Sequence, residues 1–381
     1  MARPCFAQRL ASYLNGPRFV PKPGDTNCSP HPTDATPWTV PSVVRALTAL
    51  VYGSNRIESA GPSLEVTQIY CEALFQDQNI AAVNGVFGCL PEDLGASDIF
   101  EDEEAMRINA RHKAEGNLLE YDAELADKAK DVAAHREVVQ HARALMYMID
   151  KVIFENDGGN EEGWSEGMWS EDLIREAHRI LFKGDLSHVG EEEFKSGAYR
   201  TYEVSVGYKG RRKAARCMRA SAVPRYMAKL MSDISFATSG NMFKRGFDVE
   251  DFLDFAASYH HLFVFIHPFG DGNGRMARML LNVYLLKYVG RFVLFGHADR
   301  EEEEGVDAAA TDGGKTTSKP LSCKEMYLGI VNRGQKVFHQ EDGEVETPKH
   351  THYFEFSEWL AKRTWVQAGR DLDRLHLPFM V

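Results

Sequence analysis

The chain has 381 residues, with 44 Lys+Arg against 56 Asp+Glu, a net charge of −12. Hydrophobic residues make up 44% and charged residues 26%, enough apolar material for a real core, which excludes wholesale disorder. The acidic balance argues against a general nucleic-acid binder, which needs a basic face, but leaves room for a small basic pocket.

Residues 1–40 are rich in Pro, Gly, Thr and Asn and read as an irregular extension. Helical spacing begins near Pro41, with Val44, Leu47, Leu50 and Val51 on one stripe, and runs toward Ser54 and Glu58. A second helix is expected from Leu64 to Phe75, and 98–104 is an acidic run of loop character. Residues 117–154 carry a long helical pattern, followed by an acidic, Gly-rich gap and a short helix from Leu173 to Leu181. Period-2 alternation of Tyr202, Val204 and Val206, with Gly207 and Gly210 as turn residues, is the one hairpin signal. Helices are expected again at 222–237, 249–266, 322–335 and from Phe356 toward Leu372, with an exposed, mobile insertion at 296–320. The fold class is therefore mainly α with one small β-hairpin.

Cysteines 5, 28, 71, 89, 217 and 323 form no CxxC pair and read as reduced thiols. The first residues lack a signal peptide's apolar run and no stretch approaches the ~20 residues that span a bilayer. The expected location is cytoplasmic, with no membrane partner.

The densest concentration of chemistry is His267-Pro268-Phe269-Gly270-Asp271-Gly272-Asn273-Gly274-Arg275-Met276-Ala277-Arg278, between two apolar helical stretches. Pro268 ends the first helix because it has no N–H to donate. Three glycines allow a tight loop, and the next helix opens at about Gly274 or Arg275 with free backbone N–H groups, a setting for phosphate. Arg275 and Arg278 stand three apart on one helix face and can reach one polyphosphate. Asp271 is a hard oxygen ligand suited to Mg²⁺, Asn273 can donate to a phosphate, and His267 has the pKa range of a general base. A plain Gly-rich helical turn would account for the glycines, but not for His, Asp, Asn and two Arg within twelve residues.

HPFGDGNGRMAR resembles the Fic-family motif HxFx(D/E)GNGRxxR, matching it at every specified position. The flanking AASYHHLFVFI and MLLNVYLL are similar to that family's helices, SGAYRTYEVSVG to its flap hairpin, EDLIREAHRILF to the helix before it, and REVVQHARAL to its first core helix, with His141 where Asn is common. The resemblance spans roughly 130–335 and is weak over 208–245 and 296–320. It implies a Fic-type helical bundle with a flap: an irregular extension at 1–40, an N-terminal helical segment with an inhibitory helix at 41–129, a catalytic core at 130–335 and a helical extension at 336–381.

The resemblance also implies a protein adenylyltransferase that moves AMP from ATP, with Mg²⁺, to a Ser, Thr or Tyr hydroxyl of a protein substrate. His267 would be the base and Asp271 the metal ligand. Gly272, Asn273, Gly274 and Arg275 would cradle phosphates, with Arg278 on the γ-phosphate. Tyr199, Arg200, Thr201, Tyr202, Glu203, Val204, Ser205 and Val206 would form the edge that docks the target. Asn332, in YLGIVNRG, would contact adenine; Lys324 and Glu325 fall where the family has aromatics, and Tyr327 is a substitute.

Ser54-Asn55-Arg56-Ile57-Glu58 resembles the inhibitory (S/T)xxxE(G/N) motif of class II members, in which the Glu pairs with the second motif arginine, here Arg278. Residue 59 is Ser, where Gly or Asn is usual. In some class II relatives this Glu also helps to remove AMP. Relatives that move phosphate or phosphocholine, and a silent nucleotide-sensing module, are the alternatives. No nucleic-acid partner is expected, and a homodimer is left open. A P-loop at Gly314-Lys315-Thr316 is rejected because position 309 is Ala309. His260 and His261 point about 100° apart on a helix, so they do not share one metal site.

Overall fold

The computed structural model describes residues 3–16, 37–78, 108, 109, 111, 113, 123–155, 168–183, 194–206, 215–238, 249–295, 322–340 and 353–366. It is mostly helical. In chain order the helices are α1 (Phe6–Leu14), α2 (Val40–Glu58), α3 (Leu64–Phe75), α4 (Ala123–Ile149), α5 (Glu171–Leu181), α6 (Val223–Thr238), α7 (Val249–Ile266), α8 (Asn273–Tyr288), α9 (Cys323–Gln340) and α10 (Phe354–Val366). β1 (Ser205–Val206) and β2 (Ala215–Arg216) pair antiparallel, Ser205 opposite Arg216. The acidic run at 98–104, the Gly-rich gap before Met168, the hairpin turn with Gly207 and Gly210, and the 296–320 insertion lie outside the described residues.

α8 is the axis of the fold. Every residue from Arg275 to Tyr288 is buried, the condition of a helix covered all round. α7 packs against it along its length, α4 and α2 close two other sides, and α10 lies on the far face of α7. Asn282 is held from two sides: it accepts from Val293 N–H at 2.8 Å and donates to the Arg278 carbonyl at 3.0 Å.

α2 starts where Thr39 and Ser42 cap each other's backbone N–H, at 2.8 and 3.2 Å, with Pro41 in the first turn where its missing N–H costs nothing. It ends at Ser59, whose φ of 61° is left-handed, with Ala60 N–H returning to the Asn55 carbonyl at 3.0 Å. This is a Schellman ending, which explains the preference for Gly or Asn at that position; Ser59 takes the same conformation at a cost of about 1 kcal/mol. α4 runs into a π-helical turn, Asp150–Phe154, where Asp150 pairs with Arg9.

That contact corrects one expectation. Residues 6–14 are not an irregular extension but a helix whose Phe6, Leu10, Tyr13 and Leu14 are buried in the same core as α7 and α8. The apolar stripe is present in FAQRLASYL. It is short and borders a Pro/Gly-rich stretch, and composition there outweighed period. Phe6 stands 6.0 Å from the Phe75 ring and 5.8 Å from Phe154. Phe6→Ala is expected to lower the unfolding free energy by about 3–5 kcal/mol in a urea titration; a loss under about 1 kcal/mol would make α1 a detachable appendage.

Candidate active site

The site is built where α7 stops and α8 starts. His267 N–H still completes the helix by bonding the Phe263 carbonyl at 3.0 Å, but its φ is 51°, left-handed for a non-glycine residue. Pro268 then turns the chain away, and Phe269 plunges to zero exposure. Asn273 holds this anchor from both sides: its Oδ1 accepts from Phe269 N–H and its Nδ2 donates to the Phe269 carbonyl, both at 2.9 Å. The Asn273 carboxamide thus has a structural part in the loop that the sequence reading did not foresee. Gly272 (φ 74°) caps α8, and a Cβ there would strike the Phe182 ring.

The His267 ring is half-buried, with Nδ1 3.2 Å from the Val264 carbonyl. That carbonyl can only accept, so Nδ1 carries the proton and Nε2 keeps the lone pair. Burial pushes its pKa below the ordinary imidazole value of 6.5; the Val264 carbonyl, Asp271 and Glu58 oppose this, and Arg200 adds to it. Asp271 is exposed and its Oδ1 accepts from Gly272 N–H at 2.5 Å. Among the described residues no cluster of three His, Cys, Asp or Glu forms a metal site. One exposed carboxylate beside a helix mouth fits Mg²⁺, which is commonly held by one or two carboxylates plus substrate phosphates.

Arg278 is 1% exposed. Its Nε donates to Ser54 Oγ at 2.8 Å, and Nη2 donates to the Ser54 carbonyl at 3.0 Å and to Glu58 Oε1 at 2.5 Å. The Tyr327 ring, on α9, lies 5.8 Å from the guanidinium carbon. Burial alone would lower the Arg278 pKa; Glu58 and Tyr327 more than offset this and raise it. Glu58 lies over the first turn of α8, so a Cβ on Gly274 would collide with its Oε1. Arg275 takes a different partner, Glu137 Oε1 at 3.5 Å, while Glu137 Oε2 accepts from Gly61 N–H at 2.9 Å.

His141 lies fully buried between these elements. Its Nδ1 is 2.7 Å from Asn55 Oδ1, and burial together with Arg275 and Arg278 holds its pKa well below 6.5. Asn332 is buried on α9 with Oδ1 unpaired, and Tyr327 bonds His260 at 3.1 Å. His260 and His261 are both interior, the latter bonded to the Ala257 carbonyl of its own helix. Lys324 donates to the Arg56 carbonyl at the end of α2 at 3.0 Å.

The flap divides into two parts. Thr201, Glu203 and Ser205 are exposed, and Tyr202, Val204 and Val206 half-buried, as the alternation predicts. Arg200 is a correction: it is 3% exposed and is not a docking side chain. Its guanidinium donates to the carbonyls of His267 (2.7 Å), Tyr202 (2.8 Å), Ile266 (3.2 Å) and Met218, and its backbone N–H to Pro268 O (2.9 Å). Tyr199 is tied down as well, donating to Glu171 Oε2 at 2.8 Å. Glu137 and the clamp of Arg200 carry no local motif, so spacing alone does not reveal them.

Residues 168–285 match the Fic/DOC family. Over 181 residues, 48% of this chain and 35% of the other, the sequence is 27% identical to a Nematostella vectensis protein named Protein adenylyltransferase Fic. It is 51% identical over 47 residues, 12% of this chain and 33% of the other, to a Fido domain-containing protein of Dictyostelium discoideum. The chain thus spans about a third of the length of these curated relatives. The crystal structure of a Fic domain containing signaling protein from Bacteroides thetaiotaomicron shares the fold, with a TM-score of 0.52 at 16% identity over 89% of this chain and 93% of that one.

Arg200→Met leaves four carbonyl oxygens without their donor. It is expected to lower the unfolding free energy by about 3 kcal/mol or more by chemical denaturation, at ~1–3 kcal/mol per buried unpaired group. A loss below about 1 kcal/mol would show that the clamp is dispensable.

Proposed function

We propose, from the match of residues 168–285 to the Fic/DOC family, that the chain transfers AMP from ATP to a protein hydroxyl and is held in check by Glu58. The observation that carries this reading is the pairing of Arg278 with Glu58 and Ser54. A buried guanidinium on the α8 face beside the loop is closed by a carboxylate that a polyphosphate can replace.

In this reading the backbone N–H groups at the mouth of α8 and the Arg275 side chain hold the phosphates, and Arg278 holds the γ-phosphate once Glu58 withdraws. Asp271 would hold Mg²⁺, which neutralises charge on the α- and β-phosphates when bound. His267 Nε2 accepts the proton of the target hydroxyl as its oxygen bonds to the α-phosphorus. The bond from that phosphorus to the β-phosphate bridging oxygen breaks, and pyrophosphate leaves. The hydroxyl is presented by a segment lying along the exposed edge of Thr201, Glu203 and Ser205. Asn332, with its unpaired Oδ1, is the adenine contact.

The deciding experiment is incubation with α-labelled and then γ-labelled ATP in Mg²⁺. Label retained on protein from the α position alone supports AMP transfer; retention from γ alone replaces it with phosphotransfer.

Glu58→Gly is expected to raise self- or target modification by about tenfold or more, ~1.4 kcal/mol per decade, and Arg278→Ala in that background to cancel the gain. Equal labelling of Glu58→Gly and the unaltered chain across ATP concentrations would remove the inhibitory role. His267→Ala in the Glu58→Gly chain should abolish transfer while leaving ATP binding by calorimetry in place.

The depressed His267 pKa sets a pH dependence. The base acts when neutral, so kcat/KM should be flat at pH 7 and fall on acidification, with its midpoint below 6.5. Since Glu58 raises this pKa, the Glu58→Gly chain should show the limb at lower pH than the unaltered one. A midpoint above 6.5 in both would assign the base elsewhere.

A further inference from the structure

His178 is a fully buried residue of α5 that the proposed chemistry does not use. Its ring is stacked on Phe269 at 3.8 Å between centroids and 17° between planes, and on Phe182 at 4.7 Å and 29°. Both ring nitrogens are committed along defined directions. Gly197 N–H donates to Nδ1 at 2.8 Å, so Nδ1 must be the acceptor, and Nε2 lies 3.0 Å from the Asp271 carbonyl, which can only accept. The imidazole is therefore neutral with its proton on Nε2.

Its two partners belong to the two segments that must be in register for transfer. Gly197 opens the flap: its φ is 73°, a Cβ there would meet the Arg175 carbonyl at 2.7 Å, and its own carbonyl accepts from Arg175 Nε at 2.9 Å. Asp271 precedes the Gly272 cap of α8 and carries the carboxylate assigned to Mg²⁺. Phe269, the stacking partner, is the residue clasped by Asn273.

We propose that His178 is the positioning residue of the site: through Nε2–H it fixes the Asp271 carbonyl and so aims the carboxylate, and through Nδ1 it sets the flap's first residue against the same frame. The inference rests on the adenylyltransferase reading only for what Asp271 binds; the two hydrogen bonds belong to the fold. Loss of the Asp271 bond frees the peptide that orients the metal ligand, and loss of the Gly197 bond frees the root of the docking edge. Outer partners of metal ligands of this kind typically alter metal affinity by about 10–100-fold.

The two bonds can be separated because Gln and Asn each reproduce one end of the ring. In Gln the side-chain amide reaches the place of Nε2 and keeps a donor to the Asp271 carbonyl. In Asn the carbonyl oxygen reaches the place of Nδ1 and keeps the acceptor for Gly197. The test uses the full chain in the Glu58→Gly background, comparing His178, His178→Gln and His178→Asn. Calorimetric ATP titrations over a Mg²⁺ series give the half-saturating metal concentration, and amide exchange reports the Gly197 N–H.

The expected result is a crossed pattern. His178→Asn raises the half-saturating Mg²⁺ about tenfold or more while Gly197 stays protected. His178→Gln leaves the Mg²⁺ dependence within about threefold while Gly197 exchanges faster. Melting temperatures identify any variant that fails to fold, and folded Asn and Gln variants that move both readouts equally, or neither, overturn the proposal and leave His178 as core packing. The readouts also keep it apart from the parent reading. If the Glu58→Gly chain binds Mg²⁺ and ATP yet labels no protein, AMP transfer fails while the crossed pattern still decides the role of His178. If Mg²⁺ has no influence on ATP binding in the Glu58→Gly chain, the assignment of Asp271 fails and the positioning role falls with it.

Discussion

A guanidinium with 1% exposure needs acceptors on all its donors, and the arrangement around Arg278 follows from that requirement. Arg278 stands on a helix covered all round, and its acceptors are supplied by Ser54 and Glu58 of α2. α2 must therefore lie against α8 along its last turn, with Ser54 and Glu58 four residues apart on one face. The left-handed turn at Ser59 and the Lys324 bond to the Arg56 carbonyl end that helix where the carboxylate reaches the arginine. Glu58 keeps 39% of its side chain exposed, so the pair is one a competing anion can open from the solvent side.

The loop obeys a second constraint, that a chain leaving one buried helix and entering another within six residues has little conformational freedom. His267 accepts a left-handed φ, which costs about 1–2 kcal/mol, and the surroundings over-determine it. Asn273 pins Phe269 from inside the loop, Arg200 pins the His267 carbonyl from the flap, and His178 pins Asp271 from α5. Three different elements thus hold three consecutive parts of one short turn. The side chains assigned to chemistry are themselves tied to this backbone, His267 through Nδ1 to the Val264 carbonyl and Asp271 through Oδ1 to Gly272 N–H.

Helix positions were legible because apolar stripes at a 3.6-residue period survive in the sequence whatever packs on them. Leu64–Phe75, Val223–Thr238 and Val249–Ile266 fall within a residue or two of their periodic runs. α1 was not legible, since its short stripe borders a Pro/Gly-rich stretch and its burial is supplied by Phe75 and Phe154 far along the chain. The hairpin was legible as alternation, but alternation reports only which side chains face out. It could not tell that Arg200, at the head of that edge, turns inward to four carbonyls. Asn273 shows the same limit: a carboxamide in a glycine loop can serve a ligand or the loop itself, and only the placement of Phe269 reveals its bonds to the loop.

By itself the sequence determined a mainly helical chain and a compact run of His, Asp, Asn and two Arg set in glycines between apolar helices. These are local properties, written in spacing and residue type within about twelve positions. Only the tertiary structure decided which partners those residues meet. Glu58 and Arg278 are separated by 220 residues, Arg275 and Glu137 by 138, and His178 and Asp271 by 93. No periodicity connects positions so far apart. Their meeting depends on how α2, α4 and α5 close around α8, whose residues from Arg275 to Tyr288 are buried on every side.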